Sequence, residues 1–432
     1  MQQIKVPKGM KDVLPGESGR WRAVESAMRR AALLAGYREI RTPVLEYTEL
    51  FARSSGETSD VVRKEMYTFL DKGGRSVTLK PESTAGTVRA FLESGLYAQA
   101  LPLKLYYVNA PHFRYEAPQS GRLREHHQFG MECFGAAQPS VDAELIRIVM
   151  ELLAGFGLKN LQTRINSIGC PKCRPAYQQR FREYLAGKQD KLCKACVERT
   201  QTNPMRVLDC KEEGCQRELA DAPVMLDCLC DECREHFDLL RQYLSIAQVP
   251  YTVDPRIVRG LDYYTKTVFE VTTQMNTGVL TVCGGGRYDG LVEELGGPAV
   301  AGVGFGMGVE RVLMLLDQLE EGECLLAPEE EAPEVFVASL HKGLGPQAFS
   351  LMEAFRKAGL RADMDHQARS LKAQFKYADK LNARYIAILG DEEAERGAVK
   401  LRDMATKEEW EAALAAAPGE LKKRIRLSGK EE

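Results

Sequence analysis

No run of about 18 consecutive apolar residues occurs in the sequence, so a membrane-spanning helix is not expected. The opening residues, Met1-Gln2-Gln3-Ile4-Lys5-Val6-Pro7, lack the apolar core of a secretion signal, which points to a cytoplasmic protein. No G-x-x-x-x-G-K-[ST] segment is present, and the chain's most glycine-rich strand does not have G-x-G-x-x-G spacing. P-loop and Rossmann nucleotide sites are therefore unsupported. Excess charge is also missing: the formal net charge is −2, so a nucleic-acid partner would have to be met by a local basic face. Outside residues 170–233 cysteine is nearly absent, with only Cys133, Cys283 and Cys324. Nine of the twelve cysteines crowd into that one segment, and in a chain that is not exported such crowding points to metal before disulfides.

At 432 residues the chain should hold two or three domains. Helical periodicity over 20–36 ends at Gly36, a typical stop. A hairpin is expected within 65–82, turning at Lys72-Gly73-Gly74, and a helix over 83–94. A long second hairpin spans about 104–135, with a polar tip at 117–125. After the cysteine-rich stretch, strands are expected near Tyr251, over 268–273, 279–283 and 300–309, and a helix from about Glu310. Acidic runs at 319–323 and 329–331 read as a linker. Beyond them the order becomes strand, helix, strand, helix, strand, a small α/β domain. The domains are expected at 1–169 and 251–325 (one catalytic domain in two parts), 170–250 (insertion), 326–333 (linker) and 334–432. Residues 341–384 carry nine Lys/Arg against four Asp/Glu. That surplus suits either phosphate binding or an ordinary solvated helix face.

Five segments can carry chemistry. In Gly302-Val303-Gly304-Phe305-Gly306-Met307-Gly308-Val309, period two puts the glycines on one face and the apolar residues on the other. A bare backbone strip results, where a flat ligand could lie, and Arg311 follows at a helix start. Tight packing against another element is the plainer alternative. On the returning strand of the long hairpin, Gln128, Gly130 and Glu132 share one face while Phe129, Met131 and Cys133 share the other, as a substrate floor requires. The same hairpin carries Arg114, Arg122, Arg124, His126 and His127, and its arginines could clamp a triphosphate. An ordinary charged surface hairpin would look similar. Arg259-Gly260-Leu261-Asp262-Tyr263-Tyr264 offers fixed positive charge and two phenols. Cys283-Gly284-Gly285-Gly286-Arg287-Tyr288-Asp289-Gly290 implies close backbone approach or tight turning. Finally, Glu82, Ser83 and Thr84 stand at a helix start, where Ser83 or Thr84 could serve simply as a cap.

Taken in order, these segments resemble the class II aminoacyl-tRNA synthetases, specifically the histidyl-tRNA synthetase family. The hairpin resembles that class's second motif, and the glycine strand with Arg311 its third. Residues 259–264, the Gly-Gly-Gly-Arg-Tyr-Asp-Gly run and Gly9-Met10-Lys11-Asp12-Val13-Leu14-Pro15 resemble segments particular to the histidine enzymes. The resemblance implies an α+β fold: an antiparallel-sheet catalytic domain with a helical insertion, followed by an α/β anticodon-binding-like domain. It implies a histidine–tRNA ligase that forms histidyl-adenylate from histidine and ATP with Mg²⁺, then loads tRNA(His), and that works as a homodimer. Carried over residue by residue, Glu82, Ser83, Thr84 and Gln128 would hold the amino-acid backbone, and Glu132, Tyr263 and Tyr264 would read the imidazole. Arg114 and Arg259 would bracket the α-phosphate and carboxylate. Glu116, Arg122, His126 and Arg311 would take the rest of ATP. Two positions depart from the family pattern. His126 stands where Phe is common and adds a titratable ring, and Ala117 stands where Arg is common after the motif's Glu.

Within the insertion, Cys170-x2-Cys173 and Cys193-x2-Cys196 lie 19 residues apart, a zinc-ribbon spacing. By that spacing they form one structural Zn²⁺ quartet, with Cys210, Cys215, Cys230 and Cys233 a second. Buried free thiols are the alternative. The rival for the whole chain is a non-catalytic relative on the same core, the regulatory subunit of ATP phosphoribosyltransferase. That rival usually lacks the C-terminal domain and the arginines that are present here.

Overall fold

The computed structural model describes residues 3–56, 59, 61–115, 117–118, 121–275, 278–320, 322–328 and 331–428. The chain divides into two compact units, Met1–Glu329 and Glu330–Glu432. Among the described residues no helix is long and apolar enough to cross a membrane.

The first unit is built on an eight-stranded sheet. Its order is Arg38–Glu39, Leu103–Phe113, Glu125–Phe134, Gly302–Gly308, Gly278–Arg287, Thr265–Met275, Leu161–Ser167 and Tyr251–Val253. The six central strands pair antiparallel, and a short parallel strand closes each edge. Alternation decides which face is which. Phe129, Met131 and Cys133 join Val303, Phe305 and Met307 in the main core. Against them pack Val24 and Met28 of helix Ser18–Leu34, Ile146 and Val149 of helix Ser140–Gly155, and Leu240 and Leu244 of helix Asp231–Ile246. Helix Ser18–Leu34 stops where Gly36 takes φ +80°, a left-handed turn that a side chain would strain. The opposite face of the sheet, carrying Gln128, Gly130, Glu132 and the four glycines of Gly302–Gly308, is thereby left for the site.

The Cys-rich segment builds its own helical cluster, with Tyr177, Phe181, Leu185, Val207 and Leu219 packed among buried cysteines. Helix Asp231–Ile246 serves both bodies: Cys233 lies in that cluster, while Phe237, Leu240 and Leu244 join the main core.

The second unit has a five-stranded sheet ordered Ala362–Met364, Val335–Ser339, Tyr385–Leu389, Ala398–Asp403 and Glu409–Ala413. The first three strands are parallel and the last two pair antiparallel. Those last two strands and helix Ala417–Ser428 extend the strand–helix alternation read from the sequence. Val335 and Val337 face Met352, Phe355 and Leu421, while Phe336 and Ala338 face Ala378 and partly buried Phe375. Both faces of this sheet are therefore covered.

Candidate active site

Glycine is what lets the polar face of the first sheet hold large side chains. The strip along Gly302–Gly308 is filled by residues from neighbouring strands. A Cβ on Gly304 would fall 1.7 Å from Glu132 Oε2, one on Gly302 2.3 Å from the Tyr288 ring, and one on Gly306 3.0 Å from Gln128 Oε1. Gly130 likewise makes room for the Tyr107 ring, 2.3 Å from where a Cβ would sit. The close-approach reading of the Gly284-Gly285-Gly286 run also holds. Gly284 underlies the Arg259 guanidinium, and Gly285 and Gly286 meet the Gly304 and Thr267 carbonyls of the flanking strands.

These absences converge on Glu132, which is fully buried. Thr84 donates its hydroxyl to Oε1 at 2.8 Å, Tyr107 donates to the same oxygen at 3.3 Å, and Tyr288 donates to Oε2. Burial pushes the carboxyl up to about 8, against the pull of those hydroxyls. Tyr263 and Tyr264 stand beside it, both buried, with ring centroids 4.7 Å apart, and Tyr263 meets Tyr288 edge-on at 5.7 Å. Burial raises all four phenols, keeping them neutral. Tyr107 and Tyr288 were not singled out as site residues from the sequence. The signal for Tyr107 was the facing glycine at 130.

Glu82, not Ser83 or Thr84, caps helix Thr84–Glu93: its two oxygens accept from the Thr84 and Ala85 N–H groups at 2.6 and 2.9 Å. Burial raises the Glu82 carboxyl while those N–H donors oppose it. Ser83 turns away, its Oγ 2.7 Å from His112 Nε2.

Arg259 donates to Glu270 Oε1 at 2.7 Å and lies over the Tyr264 ring at 5.6 Å. Burial works against its charge, but Tyr264 and Glu270 outweigh that and keep it firmly protonated. Arg114 is held by Nε donating to the Pro81 carbonyl at 3.1 Å, with Glu65 3.7 Å from Nη1. Arg311 reaches from helix Val309–Leu316 to the hairpin tip, donating to the Gly121 carbonyl at 2.9 Å and to the Thr281 carbonyl. Arg122 follows Gly121 in that tip, and Glu116 lies outside the described residues. Nearby, Gly9 accepts from the Arg124 N–H at 2.7 Å, so the opening segment lies against the hairpin.

His126 stacks on His112 at 5.6 Å, and burial together with the charges of Arg114 and Arg311 lowers it to about 3. The titratable ring expected at this position is therefore neutral through the physiological range. His127 behaves in the opposite way. Burial alone would lower it, but Glu310, 2.8 Å from Nδ1, outweighs burial and raises it.

Arg287, the arginine of the triple-glycine run, takes no part in the open site. It is fully buried against Asp142, with Nε at 3.0 and 2.9 Å from the two oxygens, and donates to the Ala136 and Gln138 carbonyls. The pair ties the start of helix Ser140–Gly155 to the sheet.

The cysteines group differently from their order along the chain. One quartet is Cys170, Cys173, Cys230 and Cys233, and the other is Cys193, Cys196, Cys210 and Cys215. Sequence spacing alone joins Cys170 and Cys173 to Cys193 and Cys196, and the structure corrects that pairing. The intervening helix Arg174–Ala186 carries those two pairs apart, and the return of the chain at helix Asp231–Ile246 closes the first quartet instead.

In the second unit, Lys372, Lys376 and Lys380 are exposed along helix Leu371–Lys380, four residues apart and so on one face. Arg369 pairs with Asp365 at 2.6 Å and lies over the Tyr377 ring at 4.2 Å.

Comparison with known proteins agrees with this geometry. The family model for histidyl-tRNA synthetase matches residues 9–312, and the anticodon binding domain model matches residues 334–424. A histidine–tRNA ligase of Caldanaerobacter subterraneus subsp. tengcongensis is 54% identical over 407 residues, 94% of this chain and 96% of the relative. One from Alkaliphilus oremlandii is 52% identical over 408 residues, 94% and 96% of the two chains. The crystal structure of apo S. aureus histidyl-tRNA synthetase superposes with a TM-score of 0.81 at 37% identity, covering 97% of this chain and all of the other. On its sequence, its fold and the residues gathered at its glycine-lined sheet, the chain belongs to the histidyl-tRNA synthetase family.

Proposed function

We propose that the site activates histidine with ATP to histidyl-adenylate and pyrophosphate, then passes the histidyl group to the 3′ end of tRNA(His). The observation that carries this reading is Glu132: a buried carboxyl, held by three hydroxyls and ringed by neutral tyrosines. An imidazole N–H would add a further donor to a carboxyl that burial keeps from water. An apolar analogue of histidine would bring no such donor and be bound less well. Tyr263 and Tyr264 complete the pocket for the ring. Glu82, with spare lone pairs on both oxygens, would accept the substrate ammonium beside Thr84 and Gln128, while Ser83 is held by His112.

Arg259 and Arg114 supply fixed positive charge for the α-phosphate and the histidine carboxylate, stabilising the charge that builds in the pentacovalent transition state. Alignment of the two substrates provides much of the remaining acceleration, and no protein nucleophile is needed. ATP would enter as its Mg²⁺ complex, with Arg122 taking the distal phosphates; Glu116, implied at the adenine side by the family resemblance, lies outside the described residues. Arg311 would stack on adenine opposite His126, whose neutral ring makes it a fair substitute for Phe.

The basic helix face of the second unit supports tRNA binding through phosphates, weakening as salt rises. A homodimer and a cytoplasmic location complete the proposal. The regulatory-subunit alternative is disfavoured, because Arg114, Arg259 and Arg311 are all present and residues 334–424 match the anticodon binding domain.

The test is exchange of pyrophosphate into ATP, with each of the twenty amino acids in turn. Exchange with histidine alone is expected. A well-folded protein that exchanges with none would return the reading to a non-catalytic relative.

A further inference from the structure

Eight of the nine crowded cysteines fall into the two quartets, with all four Sγ atoms of each quartet within 4.8 Å of one another. Cys170 Sγ lies 3.6 Å from Cys173 Sγ and 3.9 Å from Cys230 Sγ, and Cys193 Sγ lies 3.9 Å from Cys210 Sγ. A disulfide would need about 2.05 Å. Four thiolates around one tetrahedral zinc, at Zn–S of about 2.3 Å, stand about 3.8 Å apart along each edge, which these separations match.

Packed neutral thiols could also approach this closely, but two further features favour thiolates. Backbone N–H groups point at the sulfurs: Cys230 N–H donates to Cys173 Sγ and Cys193 N–H to Cys215 Sγ, each at 3.2 Å. In addition, Cys173, Cys193 and Cys230 each stand at the residue before a helix, where the helix dipole favours negative charge. An all-sulfur tetrahedron excludes Mg²⁺ and Ca²⁺, which take oxygen ligands.

Residues flanking both quartets contact the segment that carries Arg259, Tyr263 and Tyr264. Around the first, Arg174, next to Cys173, donates to the Tyr264 carbonyl. Gly169 accepts from the Lys266 N–H at 2.9 Å, and Glu232 pairs with Lys266 Nζ at 3.0 Å. Beyond the second, helix Lys194–Thr202 leads to Asn203, which donates to Asp262 Oδ1 at 3.0 Å, and to Arg206, which donates to the Arg259 carbonyl at 3.1 Å. The segment 259–266 is thus gripped from both quartets.

We propose that each quartet binds one structural Zn²⁺, and that the two ions brace residues 259–266, so that metal occupancy governs how well histidine is held. The metal assignment stands alone, whereas the bracing role rests on the proposed histidine site. Arg174 and Arg206 then act as positioning residues. Without the ions the insertion loses the cross-links that hold its short helices together, and both grips on the segment loosen.

Zinc measured by plasma mass spectrometry on the purified full chain should come to two ions, falling to one in Cys233→Ser and to one in Cys215→Ser. Zinc-edge anomalous diffraction from the unaltered chain should show two peaks, one between Cys170, Cys173, Cys230 and Cys233 and one between Cys193, Cys196, Cys210 and Cys215. That measurement does not depend on either variant folding. Absence of zinc, iron in its place, or a peak shared by Cys173 and Cys193 overturns the assignment. For the brace, Arg206→Ala should keep both ions yet raise the histidine KM in pyrophosphate exchange by about tenfold, with kcat little changed. An unchanged KM overturns the bracing role. Failure of the unaltered chain to exchange with histidine would instead sink the histidine site, leaving the metal result standing.

Discussion

The two largest sheets of this protein solve different problems. In the second unit, Val335, Phe336, Val337 and Ala338 alternate between two apolar clusters, both faces are covered, and little of the sheet remains for chemistry. What that unit exposes is the lysine-bearing face of helix Leu371–Lys380, proposed above to meet tRNA phosphates. In the first unit, only one face is apolar. The other carries Glu132 and Gln128 over a strip of glycines, with Arg259 against Gly284. Glycine there serves less to turn the chain than to leave volume, so that large polar side chains from adjacent strands can lie flat on the sheet. Burying a carboxyl on such a face costs stability, and in the proposed histidine site that cost is offset when a ligand brings a donor to it.

The largest expected effect lies on the polar face. Arg259→Ala should lower histidine-dependent pyrophosphate exchange by about a thousandfold while circular dichroism and thermal unfolding stay close to wild type. Near-normal exchange would remove Arg259 from the machinery and weaken the contrast between the sheets. Next comes the buried pair behind that face. Asp142→Ala leaves the buried Arg287 with only the partly exposed Asp289, 3.1 Å from Nη1, as a carboxylate partner, and should cost about 3 kcal/mol in denaturant unfolding. A loss as small as that of a surface substitution would mean the pair does not tie the helix to the sheet.

Glu132→Gln sharpens the comparison in two ways. It should raise the histidine KM by about 10- to 100-fold, since the ring loses a carboxyl that can ionise against it. It should also change how stability depends on pH. The Glu132 carboxyl is raised to about 8 in the folded chain, while unfolded Glu titrates near 4.3. Between those values the folded state binds more protons, so the Glu132 contribution destabilises the ligand-free protein progressively as pH rises through that window. The Gln variant should lose that slope, and urea titrations from pH 5 to 8 would read it. An identical slope would show that the carboxyl titrates normally.

In the second unit, replacing Lys372, Lys376 and Lys380 together by Ala should raise the KM for tRNA severalfold. The salt dependence of binding should become shallower by roughly one unit for each phosphate that is no longer neutralised. Histidine-dependent exchange should be untouched, and a matching loss of exchange would contradict the division of labour. The smallest effect belongs to His126→Phe, which should leave exchange within about threefold from pH 6 to 8, because the ring it replaces is already neutral and stacked.

Much of this was legible from period and spacing. The alternation over 128–134 and 302–309 named both faces of two central strands correctly, because one residue of slip would have put Phe129, Met131 and Phe305 into the site. The stop at Gly36 and the strand–helix order after residue 334 were equally readable, being local. The cap of helix Thr84–Glu93 was less so: the sequence pointed to Ser83 or Thr84, and only the backbone direction gives that role to Glu82. Tyr288 was invisible as a partner of Glu132, because it stands 156 residues away in sequence, and Tyr107, 25 residues away, left only the trace of the glycine it faces.

By itself, then, the sequence determined what is short-range: the faces of strands, the ends of helices, the glycines that must lie against something, and the family to which the ordered motifs belong. Tertiary structure alone decided what lies against each glycine, which cysteines meet, and which protonation states the buried groups keep. The reason is physical. Propensity and alternation act over a few residues, whereas desolvation and the meeting of four sulfurs depend on every strand and helix that closes around a group. Glu132, ordinary in its own strand, becomes a raised carboxyl only when three other elements bury it.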